Sequence, residues 1–269
     1  MDRRRAFYAD VERECEGWLA ASSRPCFVLG IQGPQGCGKS SLGAALEGAF
    51  TRQGKRCVAV STDDFYLRRE EQLAVAARHP GNRILEHRGA PGTHDVALGA
   101  RVLGELSRLG DGEEMQVPAY DKSAFAGRGD RAPESTWKRV RGPLDVVIFE
   151  GWTLGFAPVS TSAPEGDLSP VNDALGPYHA WTEALSGFLM LDTPALETIV
   201  RWRIGAEEAR RARGEPALSD ADARDYIERF LPVYRVYVPP LRERAPSARS
   251  RRIVLGEDRL PAPELSPCT

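Results

Sequence analysis

The residues best suited to chemistry in this chain of 269 lie at Gly33-Pro34-Gln35-Gly36-Cys37-Gly38-Lys39-Ser40. They read G-x-x-x-x-G-K-S, the pattern of a phosphate-binding loop. Glycines at 33, 36 and 38 let the backbone wrap closely around phosphate oxygens. The N–H groups from Gln35 through Cys37 to Ser41 converge where a helix begins, and the helix dipole favours an anion there. Lys39 is expected to reach the β- and γ-phosphates, and the Ser40 hydroxyl to sit on Mg²⁺.

Acidic residues supply the complementary half. Asp63 and Asp64 follow the apolar run Cys57–Ser61, and Glu150 ends the run Asp145–Glu150. Phosphoryl transfer to an alcohol needs a carboxylate for the hydroxyl proton and a divalent cation for the phosphate charge. Asp63 suits the first role, with Asp64 beside it, and Glu150 suits the second. A turn aspartate and a structural ion pair are the plainer alternatives. Farther on, Arg201, Arg203, Arg210, Arg211 and Arg213 crowd one stretch with only Glu207 and Glu208 among them. A cationic helix closing over ATP phosphates explains that bias. A solvated charged face would explain it as well. Lys122, Arg128 and Arg131 lie beyond a strand end and suit an anionic substrate. His94 lies between Thr93 and Asp95, a helix-capping context.

The elements that must position these groups are legible from periodicity. Residues 5–20 predict a helix with Phe7, Val11, Cys15, Trp18 and Leu19 on one face. Cys26–Ile31, the phosphate loop and a helix over 41–50 follow. With the strand Cys57–Ser61 they make a βαβ unit and predict a parallel sheet. In such sheets ligands lie outside the carboxyl ends of the strands, where Asp63 and Glu150 fall. Further expectations are a short helix over 70–78, a helix Asp95–Leu109 capped by Thr93, and a strand Met115–Pro118. A flexible loop over 127–131, a helix over 172–186 and a strand Phe188–Leu191 come next. A long helix capped by Asp192 or Thr193 is expected to run to about Arg213. Ser219–Asp222 starts another, carrying Tyr226 and Phe230, and a last strand spans Arg252–Leu255. The stretch 157–170 and the tail beyond Leu260 read as the loosest segments.

Composition limits the function classes. Hydrophobic residues make up 42% and charged residues 28%, as in an ordinary globular protein. A net charge of −2 gives no global attraction to nucleic acid or membrane. No apolar run approaches the ~18 residues of a membrane span. Cysteines at 15, 26, 37, 57 and 268 show no metal-type pairing and suit a reducing, cytoplasmic setting. The histidines lack zinc spacing. No Ser-His-Asp or Cys-His pairing is suggested, and no Asn-Lys-x-Asp element supports a GTP switch. Oligomeric state, monomer or homodimer, is left open.

Taken together, the motifs resemble the D-glycerate 3-kinase family, a branch of P-loop kinases related to uridine kinases, phosphoribulokinases and bacterial-type pantothenate kinases. The resemblance rests on residues 33–40 and on Ser-Thr-Asp-Asp-Phe-Tyr-Leu at 61–67. It rests further on Arg-Gly-Ala-Pro-Gly-Thr-His-Asp at 88–95, Pro-Ala-Tyr-Asp-Lys-Ser at 118–123 and Gly-Arg-Gly-Asp-Arg at 127–131. Phe-Glu-Gly-Trp-Thr-Leu-Gly-Phe at 149–156, Trp202-Arg203 and Phe230–Tyr234 complete it. It implies a five-stranded parallel sheet flanked by helices, with a lid at about 193–218. The kinase domain is expected to span 25–256, preceded by a packed helix over 1–24 and followed by a tail over 257–269. It also implies ATP, Mg²⁺ and transfer to the 3-hydroxyl of D-glycerate. Asp63 would be the base, and Ser40 and Glu150 would place the metal. Arg203 and Arg210 would be lid arginines. Asp64, Tyr66, His94, Tyr120, Lys122, Arg128 and Arg131 would form the acceptor side. Another small acceptor (a nucleoside, pantothenate or a sugar phosphate) is a rival reading, as is a nucleotide-binding protein without turnover.

Overall fold

Strands that are apolar on both faces must be covered on both, and three runs of this kind, each carrying one polar or charged residue near its carboxyl end, organise the fold. In the computed structural model, which describes residues 3–160 and 164–262, the chain opens with α1 (Arg3–Ala20). Next come β1 (Phe27–Gln32), α2 (Lys39–Arg52), β2 (Cys57–Ser61), α3 (Arg69–Arg78) and α4 (Val96–Arg108). Short pieces follow: β3 (Glu114–Val117), β4 (Tyr120–Asp121), the single turn α5 (Ala124–Gly127), β5 (Asp130–Arg131) and β6 (Lys138–Arg141). After β7 (Val146–Gly151), α6 (Ser169–Asp173) and α7 (His179–Glu183) lead to β8 (Gly187–Asp192). The chain ends in α8 (Leu196–Ala212), α9 (Asp220–Glu228), α10 (Leu231–Glu243) and β9 (Ser250–Val254).

The main sheet has five strands in the order β2-β7-β1-β8-β9, and every pair is parallel. β1, β7 and β8 are buried along their whole lengths. One core lies between the sheet and α1 and α2, with Val11, Leu42, Leu46, Ile31 and Ile148 fully enclosed. The other joins α4, α7 and α10 to the opposite face through Leu103, Leu106, Phe149, Trp181, Val233 and Tyr237. Register fixes the catalytic edge: Glu150 is level with Ile31 on β1 and with Ser61 on β2. The chain segments leaving β1, β2 and β7 therefore emerge side by side.

Several local expectations give way to stronger interactions. Asp95, not Thr93, caps α4, its carboxylate accepting from Leu98 N at 3.0 Å. Thr93 is turned inward, its hydroxyl donating to Ala90 O and accepting from Gly89 N. The single helix over 172–186 is split into α6, a 3₁₀ turn at Gly176–Tyr178 and α7. Pro177, with no N–H, breaks the helical ladder there. The long helix α8, expected to be capped by Asp192 or Thr193, starts at Leu196, without a side-chain cap. Asp192 is instead claimed by Arg242 and Arg252 at 2.8 and 2.7 Å, and a buried carboxylate gains more from two guanidiniums than from capping. α9 stops before Phe230, which precedes α10. The supposed flexible loop 127–131 is tied down by the β4–β5 ladder. β6, which sequence reading did not find, pairs antiparallel with β3 apart from the main sheet. Residues 161–163 of the loose stretch, and 263–269 of the tail with Cys268, lie outside the described residues. Leu260, at 9% exposure, packs into the core, and Ala262 N donates to Val254 O. No helix among the described residues is long and apolar enough to cross a membrane.

Candidate active site

The phosphate loop bends through two positive-φ glycines, Gly36 (φ 80°) and Gly38 (φ 104°), so α2 begins on a left-handed cap. A Cβ at Gly36 would also press on the Trp202 backbone at 3.1 Å, so glycine serves both conformation and space there. Behind the loop, Arg259 Nε donates to Gly36 O at 2.7 Å and Trp202 Nε1 to Glu257 O at 2.8 Å. In front, Tyr234 accepts from Gln35 N at 3.0 Å and donates to Gln35 Oε1 at 2.6 Å. The loop is thus braced from both sides. Lys39 is buried and its ammonium rests on Pro34 O at 3.2 Å. Cys37 points away into the α1–α2 core, where burial raises its thiol pKa. Its side chain is structural, and only its backbone can face a phosphate.

Ser40 Oγ donates to Glu150 Oε1 at 2.7 Å, joining the loop to the end of β7. A hydroxyl and a carboxylate on a rigid edge are the hard oxygen donors that Mg²⁺ takes alongside phosphate oxygens. No cage of three or more His, Cys, Asp or Glu side chains occurs among the described residues. One hydroxyl and one carboxylate leave positions that phosphate oxygens can fill, which fits a cation shared with a bound nucleotide.

Asp63 sits in the 3₁₀ turn Thr62–Phe65 that leaves β2, capped by Ser61. Its carboxylate accepts from Tyr66 Oη at 2.8 Å and from Lys122 Nζ at 2.5 Å. Burial acts to raise its pKa, but Lys122, Tyr66 and the nearby His94 outweigh it and hold Asp63 at about 2. Asp64 accepts from Ser61 N at 3.0 Å, and burial, with the charges of Asp63 and Glu150 adding to it, lifts its carboxyl to about 6. Tyr66 stacks on His94 at 4.5 Å and meets Tyr120 edge-on at 5.3 Å. His94 Nδ1 pairs with Tyr178 Oη at 2.7 Å, and its buried Nε2 has no partner among the described residues. Burial pushes its pKa down to about 4.

The opposite shifts of His94 and Asp64 set a pH prediction. His94 titrates near 6.5 unfolded and near 4 folded, so its contribution to stability is present above 6.5 and lost as pH falls towards 4. Asp64 titrates near 3.8 unfolded and near 6 folded, so its contribution is present below 3.8 and lost as pH rises through 6. The two oppose each other between pH 4 and 6. Asp64→Asn removes one of them, and urea unfolding of this variant should show stability falling more steeply from pH 6.5 to 4 than in the parent chain. Equal slopes would show that the pair does not offset.

The remaining expected residues are distributed unevenly. Arg131 is scaffold: its guanidinium, 10% exposed, donates to Asp95 Oδ2 and Tyr66 O, both at 3.2 Å. Arg128 leans on His87. Arg203 pairs with Glu207 at 2.5 Å and lies over the Tyr226 ring at 4.9 Å. Arg210 is shared between Glu207 and Glu215. The arginine-rich helix thus carries its own counter-charges, some from beyond its end. Ser41 is exposed at the first turn of α2. Arg88, Tyr226 and Tyr234 were seen only as parts of motifs, yet each shapes the site. Arg88 reaches the carbonyls of Gly127, Arg128 and Lys122 and lies over Tyr120 at 5.5 Å. It holds the acceptor loop in a turn where Phe125 and Ala126 take positive φ. Nothing in spacing alone predicts such contacts between loops.

Comparison with known proteins gives a consistent set. The chain is 41% identical over 239 residues to "D-glycerate 3-kinase, chloroplastic" of Arabidopsis thaliana, covering 87% of this chain and 52% of that one. It thus spans about half the length of that curated relative. It is 36% identical over 249 residues to "Uncharacterized kinase mug58" of Schizosaccharomyces pombe, covering 87% of this chain and 90% of that protein. Among solved structures, a D-glycerate 3-kinase from Cryptococcus neoformans var. grubii superposes with a TM-score of 0.86 at 29% identity, over 95% of this chain and 97% of the other. No family model matches the chain.

Proposed function

From the premise that this chain belongs to the family of P-loop kinases that includes D-glycerate 3-kinase, we propose that it transfers the γ-phosphoryl group of ATP to the 3-hydroxyl of D-glycerate. The observation that supports it most is the convergence, at the carboxyl ends of β1, β2 and β7, of the phosphate loop, the Ser40–Glu150 pair and Asp63. Loop N–H groups and Lys39 hold and neutralise the phosphates. Ser40 and Glu150 would hold Mg²⁺, which would supply charge neutralisation on the phosphate oxygens. Asp63 orients the acceptor hydroxyl and takes its proton. A carboxylate held near 2 is a weak base, but the phosphoryl transition state is loose, so the proton leaves late and positioning dominates. The acceptor hydroxyl displaces the Lys122 ammonium from Asp63, and Lys122 is then free for the transferring group. Free, mostly buried cysteines suit a reducing cytoplasm.

The assay is purified protein with ATP, Mg²⁺ and D-glycerate, followed by coupled ADP release and by identifying the phosphorylated carbon by NMR. The expected product is 3-phosphoglycerate. ADP release no greater than without acceptor overturns the glycerate assignment, and turnover of a nucleoside, pantothenate or sugar phosphate instead would redirect it within the same kinase class.

A further inference from the structure

Cations crowd the acceptor side of the site, and most of them already have partners. Lys122 is held by Asp63, Arg88 by three carbonyls, Arg128 by His87 and Arg203 by Glu207. Arg229, at the end of α9, is different. Its side chain is 10% exposed, and only Nη2 is used, donating to Asp225 at 2.9 Å. Nε and Nη1 are buried without a partner among the described residues. A guanidinium stays charged at any ordinary pH, and buried donors left unpaired are unfavourable. Asp225 compensates it poorly, being 55% exposed and shared with Arg83.

Its surroundings point the same way. The Arg229 and Arg203 guanidiniums both lie over the Tyr226 ring, at 5.7 and 4.9 Å. Tyr226 in turn meets Phe230 edge-on at 5.3 Å, and Phe230 packs against Gly89 of the 88–95 loop, where a Cβ would lie 2.6 Å from its ring. A small acid in this site has a particular difficulty. Its hydroxyl must approach Asp63, while its carboxylate must stay clear of Asp63, Asp64 and Glu150. Lys122, once displaced from Asp63, stays beside the acidic residues and serves the transferring group, so the counter-charge has to come from another cation. Of the cations around Tyr226 and Tyr66, Arg229 has two buried donors to spare, Nε and Nη1, against one each on Arg203 and Arg131.

We propose that Arg229 is the carboxylate anchor of the acceptor site, with Tyr226 as the wall between it and the lid arginine Arg203. The inference rests on the reading of the chain as a kinase of a small hydroxy acid and names the residue that makes it selective for an acid. The two buried donors left unpaired in the free protein, Nε and Nη1, are satisfied when the carboxylate arrives, so binding gains charge-assisted hydrogen bonds without spending the one to Asp225. Selection against acceptors lacking the carboxylate follows, because they leave the donors unpaired.

The test compares the parent chain with Arg229→Gln and Arg229→Lys, with D-glycerate and then glycerol as acceptor. Removing the guanidinium should raise the KM for D-glycerate by about tenfold to a hundredfold, while the KM for MgATP moves less than about twofold. The preference for D-glycerate over glycerol in kcat/KM should fall by a similar factor. Lysine keeps the charge without the fork and should lie between the two, and it remains informative if glutamine prevents folding. An unchanged KM for D-glycerate in folded variants, or a KM for MgATP that rises in parallel, overturns the assignment of Arg229. Absence of D-glycerate turnover by the parent chain overturns the activity reading itself, and the anchor with it.

Discussion

Asp63→Asn is expected to lower kcat at least ~10²-fold while leaving the fold intact, the range seen when a positioned general base is lost. Asparagine has nearly the same shape, and its Oδ1 can still accept from Tyr66, so the turn Thr62–Phe65 should persist. What goes is the charge that receives the hydroxyl proton and fixes Lys122 at 2.5 Å. In the variant Lys122 has lost its counter-ion, and the acceptor hydroxyl meets an amide that cannot take a proton. Because Asp63 is held at about 2, it is ionised at every pH in which the enzyme would work. The activity of the parent chain should therefore show no acid limb from this residue above about pH 4. Steady-state rates across pH 5–9, with a thermal melt as a folding control, decide the matter. Near-parental kcat would remove Asp63 from the proton-accepting role and leave Lys122 and Tyr66 as its only connections.

The donor half of the site was legible because its physics is local. A phosphate loop needs glycines, a lysine and a hydroxyl at fixed spacing, and Gly33–Ser40 states all of it within one turn of chain. Apolar runs mark β1, β2, β7 and β8, and the rule that ligands lie beyond strand ends points to Asp63 and Glu150, which leave neighbouring strands, Glu150 bonded to Ser40 of the loop. The acceptor half was less legible because its contacts join distant segments. That Arg131 would be spent on Asp95, or that Arg88 would lace together the carbonyls of 122, 127 and 128, depends on how loops meet. Caps failed for a related reason. Asp192 reads as a helix cap until Arg242 and Arg252 arrive from 50 and 60 residues away and claim it. The pairing of the α8 arginines is equally non-local, since Arg201, Arg210 and Arg211 find Glu257, Glu215 and Asp220 beyond the helix itself.

Glu150→Gln should lower activity at subsaturating Mg²⁺ by at least tenfold and raise the Mg²⁺ concentration needed for half-maximal rate, while the metal-free protein becomes no less stable. The two effects separate a metal role from a structural one. Glu150 is 9% exposed at the end of β7, and among the described residues its side chain has one hydrogen bond, accepted at 2.7 Å from the neutral hydroxyl of Ser40. No salt bridge joins it to a cation among the described residues, and a charge buried with so little compensation disfavours the folded state. Glutamine keeps the volume and can still accept from Ser40, so it relieves that burden and should raise the melting temperature slightly in the presence of a chelator. If Glu150 served only to brace the loop, glutamine, which can still accept from Ser40, would leave both the activity and the Mg²⁺ dependence where they were. Loss of activity together with unchanged or higher metal-free stability is the signature of a residue kept for its charge towards a bound cation. A Mg²⁺ titration of the rate, paired with melting curves in chelator, distinguishes the two, and unchanged activity with an unshifted titration would reassign Glu150 to the scaffold.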